Sequence, residues 1–189
     1  MDEAEATLRE QVQVAGQMGL DFLRTVVEHN LGSVLAFSGR LDEGVAMKSG
    51  AVARLAKSGH PRLDGNLHAS LAEVLWLAGR HAESEAQAAQ ALQLLSPFPP
   101  TCAYACGVHA RALLEQGRVD EALAAARHGM GILDRLGGIE EGEALLRLTW
   151  AEALQAVGRG ADAAHAARQA MERLDRKSTR LNSSHVKRS

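Results

Sequence analysis

Aromatic residues are scarce: three Phe, two Trp and one Tyr make up 3% of a 189-residue chain that is 46% hydrophobic. The apolar mass is aliphatic and rich in alanine, so a core forms only where small side chains let helices approach closely. Cysteine is scarcer still, and two thiols in this length exclude a disulfide framework and suit a reducing compartment. No apolar run approaches the roughly 18 residues of a membrane span. The N-terminal MDEAEATLREQ is acidic from its second residue and lacks the apolar core of a signal peptide. Nor does one sign of charge dominate: 21 Lys+Arg against 23 Asp+Glu leave −2, no electrostatic footprint for nucleic acid. P-loop, GxGxxG, GxSxG and kinase-type motifs are all missing. These absences point to a soluble, cytoplasmic protein without a catalytic site or cofactor, built as one domain or a short repeat array.

The C-terminal end differs from the rest. Residues 175–185, DRKSTRLNSSH, are polar and aperiodic, and they resemble an in-frame translation of a widely used sequencing adapter. Residues 175–189 are therefore expected to be a non-native or disordered tail, outside fold reasoning. Setting them aside removes five of 21 basic and one of 23 acidic residues, leaving 16 against 22, a mildly acidic −6. The natural chain is expected to continue beyond Leu174.

What is present is a repeat. The pair Gly-Arg occurs at Gly39-Arg40, Gly79-Arg80, Gly117-Arg118 and Gly158-Arg159, at spacings of 40, 38 and 41 residues. Four residues before each glycine stand Leu35, Leu75, Leu113 and Leu154; seven before it stand Gly32, Ala72, Ala110 and Ala151. Four after it come Glu43, Glu83, Glu121 and Asp162, and five after it the small Gly44, Ser84, Ala122 and Ala163. Twelve and sixteen after it come Ala51, Ala91, Gly129 and Ala170, then Leu55, Leu95, Leu133 and Leu174. Steps of three and four residues keep these positions on one helical stripe. Each unit thus reads as helix A, a turn at Gly-Arg, and helix B. Glycine supplies the left-handed residue past helix A. The arginine suits the carbonyl end of helix A, and the following acid suits the first turn of helix B. Four hairpins result, about 20–58, 61–95, 100–136 and 139–174, with residues 1–19 forming the last helix of an incomplete preceding unit. SPFPP at 96–100 reads as a proline-stiffened loop.

The small residue and leucine of helix A, GR-x-x-E/D at the turn and the small residues of helix B resemble the tetratricopeptide repeat (TPR) over residues 20–174. The likeness is to the variant of about 40 residues found in bacterial signal-transduction activators and in C-terminal arms of bacterial Ser/Thr kinases. It implies an all-α, right-handed α-solenoid of four hairpins. The sequence departs from the shorter form of the family in lacking a proline at each unit's end. The resemblance also implies a concave wall of helix-A residues about 13, 10, 6, 3 and 2 before the turn glycine. Those include His29, Ser33, Asn66, Glu73, Trp76, Tyr104, Arg111, Leu145 and Glu152. An interaction groove is expected at Asn66, Glu73, Trp76, Tyr104, Arg111 and Glu152, with Trp76 and Tyr104 as anchors and Arg111 as its cation. The clamp of lysines and asparagines by which co-chaperone repeats hold a terminal carboxylate is absent. Trp150, beside Ala151, is expected to pack.

Cys102, Cys106 and His109 share one face of a helix, but three ligands on one helix lack the second pair a structural zinc site takes from elsewhere. Core packing is the expected role of the thiols. The remaining histidines follow neither the repeat nor a metal spacing. The functional expectation is a protein-interaction scaffold, a fragment of the regulatory arm of a larger bacterial signalling protein, in which any kinase or ATPase domain would lie outside these residues. Its partner would be a protein, a peptide or another domain of the parent chain. The alternatives are a freestanding adaptor, self-associating as a homodimer through uncapped ends, and a distant third, a metal-binding sensor.

Overall fold

The computed structural model describes the backbone of residues 2–55 and 59–186 and the side chains of 3–55 and 59–176. The described residues form nine α-helices and no strand: α1 (Asp2–Gln17), α2 (Asp21–Phe37), α3 (Leu41–Leu55), α4 (Pro61–Leu77), α5 (His81–Leu95), α6 (Pro99–Glu115), α7 (Val119–Leu136), α8 (Glu143–Ala156) and α9 (Gly160–Val186). The hairpins are α2–α3, α4–α5, α6–α7 and α8–α9, and α1 packs on α2 as the second helix of each hairpin packs on the next first helix. First helices also touch one another, α2 with α4, α4 with α6 and α6 with α8, whereas among the described residues no such contact joins α3, α5 and α7. The array is therefore curved, with α2, α4, α6 and α8 as its inner wall.

The turn chemistry explains why the Gly-Arg pair recurs. Each turn glycine has φ between 72° and 87°, a region costly for other residues. The arginine N–H after it donates back to the leucine carbonyl four residues before the glycine: Arg40 to Leu35 (3.0 Å), Arg80 to Leu75 (2.9 Å), Arg118 to Leu113 (3.0 Å) and Arg159 to Leu154 (2.9 Å). The glycine N–H donates to the carbonyl three residues earlier in each case. These two bonds are the Schellman closure, which satisfies carbonyls left over at a helix end. The same leucines fill the core, between 1% and 3% exposed.

Beyond its backbone role, the arginine side chain turns forward rather than toward helix A. Arg80 grips both carboxylate oxygens of Glu83 at 2.7 and 2.6 Å, Arg118 grips Glu121 at 2.7 Å twice, and Arg159 reaches Asp162 at 2.7 Å. Arg40 instead pairs with Glu5 on α1. The arginine and the acid, each expected to answer a different helix end, answer each other across the start of helix B.

The small residues seven before and five after the glycine meet inside each hairpin. In α2–α3 a Cβ on Gly44 would lie 2.7 Å from the carbonyl oxygen of Gly32. In α4–α5 the Ser84 hydroxyl donates to the Ala72 carbonyl at 2.7 Å. Ala110 and Ala122 are fully buried in the third hairpin. The largest apolar cluster runs from Ala69 and Ala72 through Leu95, Cys106 and Leu133 to Leu146, so neighbouring hairpins share one core.

Three boundaries differ from expectation. Pro99 and Pro100 open α6 instead of stiffening a loop, because the first turn needs no N–H from proline. The fourth hairpin begins at Glu143, four residues late, since Gly142 takes φ 77° before it. The helix of α9 continues to Val186 through the adapter-like residues, a polar stretch that satisfies its backbone by its own hydrogen bonds. The expected end of the first hairpin, residues 56–58, lies outside the described residues.

Candidate binding surface

Five of the six expected groove residues fall into two networks on the inner wall. In one, the Arg111 guanidinium stacks 4.7 Å above the Trp76 ring and pairs with Glu152, joining α4, α6 and α8. Trp76 Nε1 donates to Glu115 at 3.4 Å. Arg111 is thus engaged within the wall and not presented as an open cation. In the other network the Tyr104 hydroxyl donates to Glu73 at 2.7 Å. Burial raises the Tyr104 phenol, and Glu73 adds to the shift. The Tyr104 ring lies against Gly142, where a Cβ would come within 2.3 Å of it. Leu145 and Trp150 pack against apolar clusters.

Asn66 belongs to a third group, the pocket of the inner wall. This pocket, about 650 Å³, is lined on one side by His29, Asn30, Ser33, Arg62, Asn66 and Ser70. Tyr104 and the α7–α8 connection, with Glu140 and Glu141, line the other. It exists because the curvature of the array brings the connection at 137–142 round toward α2 and α4.

Behind this pocket lies a residue that sequence reasoning passed over. Lys48, nine after its turn glycine, is fully buried where the other hairpins carry Ala88, Ala126 and Ala167. Its stem occupies room left by Gly32, on which a Cβ would stand 2.8 Å from Lys48 Cγ. Its Nζ lies 2.6 Å from Ser70 Oγ and 3.2 Å from His29 Nε2. Burial brings the amine down to about 7, against the pull of Glu73 and Glu141 in the other direction. Burial, with Lys48 beside it, pushes His29 down to about 3, so the imidazole is neutral. The His29 Nδ1 is buried without a hydrogen-bond partner among the described residues. An amine that titrates near neutrality thus sits directly behind two side chains of the pocket wall. A lysine in a small-residue register was the signal that could have found it.

The thiols also depart from the expected trio. His109 turns toward α5, its Nε2 3.5 Å from Glu85 Oε1, while His128 of α7 joins Cys102 and Cys106, with the donor atoms all within 4.8 Å of one another. Both cysteines are buried and free. The neighbouring Cys106 thiol, with His128 nearby, holds the Cys102 thiol below its ordinary value against the effect of burial.

At the N-terminal end, Val14, Met18, Leu20 and Leu23 are exposed around a groove between α1 and α2. Met171 and Leu174 are exposed on α9. No helix among the described residues is long and apolar enough to cross a membrane.

No protein-family profile and no curated protein matches the chain. Among solved structures it is similar to a protein of Podosopora anserina described as a kinesin light chain with nearly identical TPR-like repeats. The match to it has a TM-score of 0.70 at 19% identity, covering 90% of this chain and 85% of that one. A variant of the same protein matches with a TM-score of 0.72 at 20% identity, covering 95% and 88%. The fold is a TPR-like repeat solenoid.

Proposed function

We propose that this chain is a protein-interaction scaffold whose inner wall holds an extended peptide segment, and that it serves as the regulatory arm of a larger bacterial signalling protein. The observation that carries the reading is the pocket between Asn30, Asn66 and Arg62 on one side and Glu140 and Glu141 on the other. An asparagine side chain offers both donor and acceptor, the pairing a peptide backbone asks for. Acid and base on opposite walls suit a segment that carries both signs. The bound segment would come from a partner or from the parent's own effector domain, a Ser/Thr kinase or a transcriptional activator. The exposed apolar face of α1 and α2 supports the idea of an arm, because a further hairpin packed there would cover it. The same face also favours the second reading, a freestanding adaptor that self-associates, whose mark is a concentration-dependent dimer in light scattering.

Peptide display against the full chain tests the scaffold reading. Selected peptides should lose about tenfold or more in affinity with Asn66→Ala or Asn30→Ala, the size of one missing hydrogen bond. They should be indifferent to Gln90→Ala, exposed on α5. Peptides that ignore both inner-wall changes would overturn it.

A further inference from the structure

One polar place recurs between the start of a hairpin's first helix and the end of its second. In the first hairpin Glu28 lies between Arg24, at 2.9 Å, and Arg54. In the fourth, Glu143 lies between Arg147 and Arg173, at 2.9 and 2.8 Å. In both cases these residues stand fifteen and eleven before the turn glycine and fifteen after it. In the third hairpin the two positions on α6 hold Cys102 and Cys106. Ile132 stands where the second arginine would, and the third corner is taken by His128, one turn earlier on α7. A carboxylate held by two cations is replaced by two sulfurs and an imidazole.

We propose that Cys102, Cys106 and His128 form a three-ligand site for a thiophilic cation, Zn²⁺, whose fourth position is open to water. At Zn–S distances of about 2.3 Å, two sulfurs on one tetrahedral ion lie about 3.8 Å apart. Donor atoms already within 4.8 Å need only a side-chain rotation of about an ångström to close on it. The third ligand comes from a second helix, which is what a trio on one helix lacks.

Two features of the packing support the site. Residue 129 is glycine where the other hairpins have alanine, and a Cβ there would lie 2.8 Å from the Cys106 Cβ. The missing methyl brings the α7 backbone next to His128 down onto Cys106. The two cysteines are 4% and 1% exposed whereas His128 is exposed, so an ion enters from the histidine side and keeps its open position toward solvent. Binding releases the thiol protons to water, and two thiolates neutralise the divalent charge. A neutral complex avoids the penalty of a net charge buried between two helices.

The test is titration of the reduced full chain with Co²⁺ as the spectroscopic probe, followed by competition with Zn²⁺. One Co²⁺ per chain should bind with thiolate-to-cobalt charge-transfer absorption and the visible bands of a tetrahedral site, and Zn²⁺ should displace it. Cys102→Ser and Cys106→Ser should abolish the charge-transfer absorption. His128→Gln, at an exposed position that leaves the fold intact, should weaken binding by more than the roughly 10–100-fold that loss of an outer-shell partner costs. His109→Gln should bind as the unaltered chain does. No charge-transfer absorption, unchanged affinity in His128→Gln, or an equal loss in His109→Gln would each overturn the site.

Discussion

The first and third hairpins share one register and part company at its small-residue positions. In α2–α3 Gly32 and Gly44 face each other with no room for a methyl on Gly44, and the stripe is completed by a buried lysine. In α6–α7 the same positions are Ala110, Ala122 and Ala126, all fully buried, and the glycine is displaced to residue 129 beside Cys106. Where a methyl is missing, something unusual enters: the Lys48 stem in one hairpin, a histidine approaching two thiols in the other. The repeat constrains how closely two helices approach more tightly than it constrains the chemistry between them.

The strongest way to break that comparison is to remove the leucine both hairpins share. Leu35→Ala and Leu113→Ala, each 1% exposed in the parent chain, should each lower stability by about 2–5 kcal/mol in urea unfolding. A loss in only one of them would mean that the two hairpins do not share a register.

A change at Lys48 should sharpen the contrast and run in the opposite direction. Between about 7 in the folded chain and the ordinary 10.5, the unfolded chain holds more protons, so the lysine's contribution improves as pH rises through that window. Lys48→Met, which has no charge to bury, should stabilise the chain by roughly 1–4 kcal/mol at pH 6. That gain should fade toward pH 10, and unfolding midpoints of the two proteins measured across pH check it. A gain that grows with pH would contradict the burial of a charged amine.

The smallest effects should come from exchanging the small residues themselves. Gly44→Ala places a methyl 2.7 Å from a backbone oxygen and should cost about 1–3 kcal/mol. Ala122→Gly, at the matching place, removes a methyl without a clash and should cost about 1 kcal/mol in thermal unfolding. Gly44→Ala tolerated at no cost would show that α2 and α3 leave room for the methyl that α6 and α7 hold at Ala122.

How far the site could be read from the chain varies residue by residue. Tyr104 and Glu73 were both expected on the inner wall, but their hydrogen bond crosses from α6 to α4 and depends on the offset between hairpins. Trp76 and Arg111 were expected as separate contact groups, and the structure stacks one on the other. His109 shares a helix face with the cysteines in sequence, yet His128 reaches them, because the rotation of α7 about α6 decides which histidine faces the sulfurs. Lys48 was hidden by its type: a lysine reads as surface until its register and the room beside Gly32 are considered together.

The sequence by itself determined the period, the turns and the helix pairing, because these rest on local chemistry: a glycine at positive φ, a carbonyl four residues before it, small residues at helical spacing. The pocket, the buried amine and the thiol–imidazole cluster were decided only by tertiary structure. Each joins residues from different helices or hairpins. Their meeting depends on the angle at which one helix packs on the next, and that angle is set by the summed volumes of many side chains, none of which carries it alone.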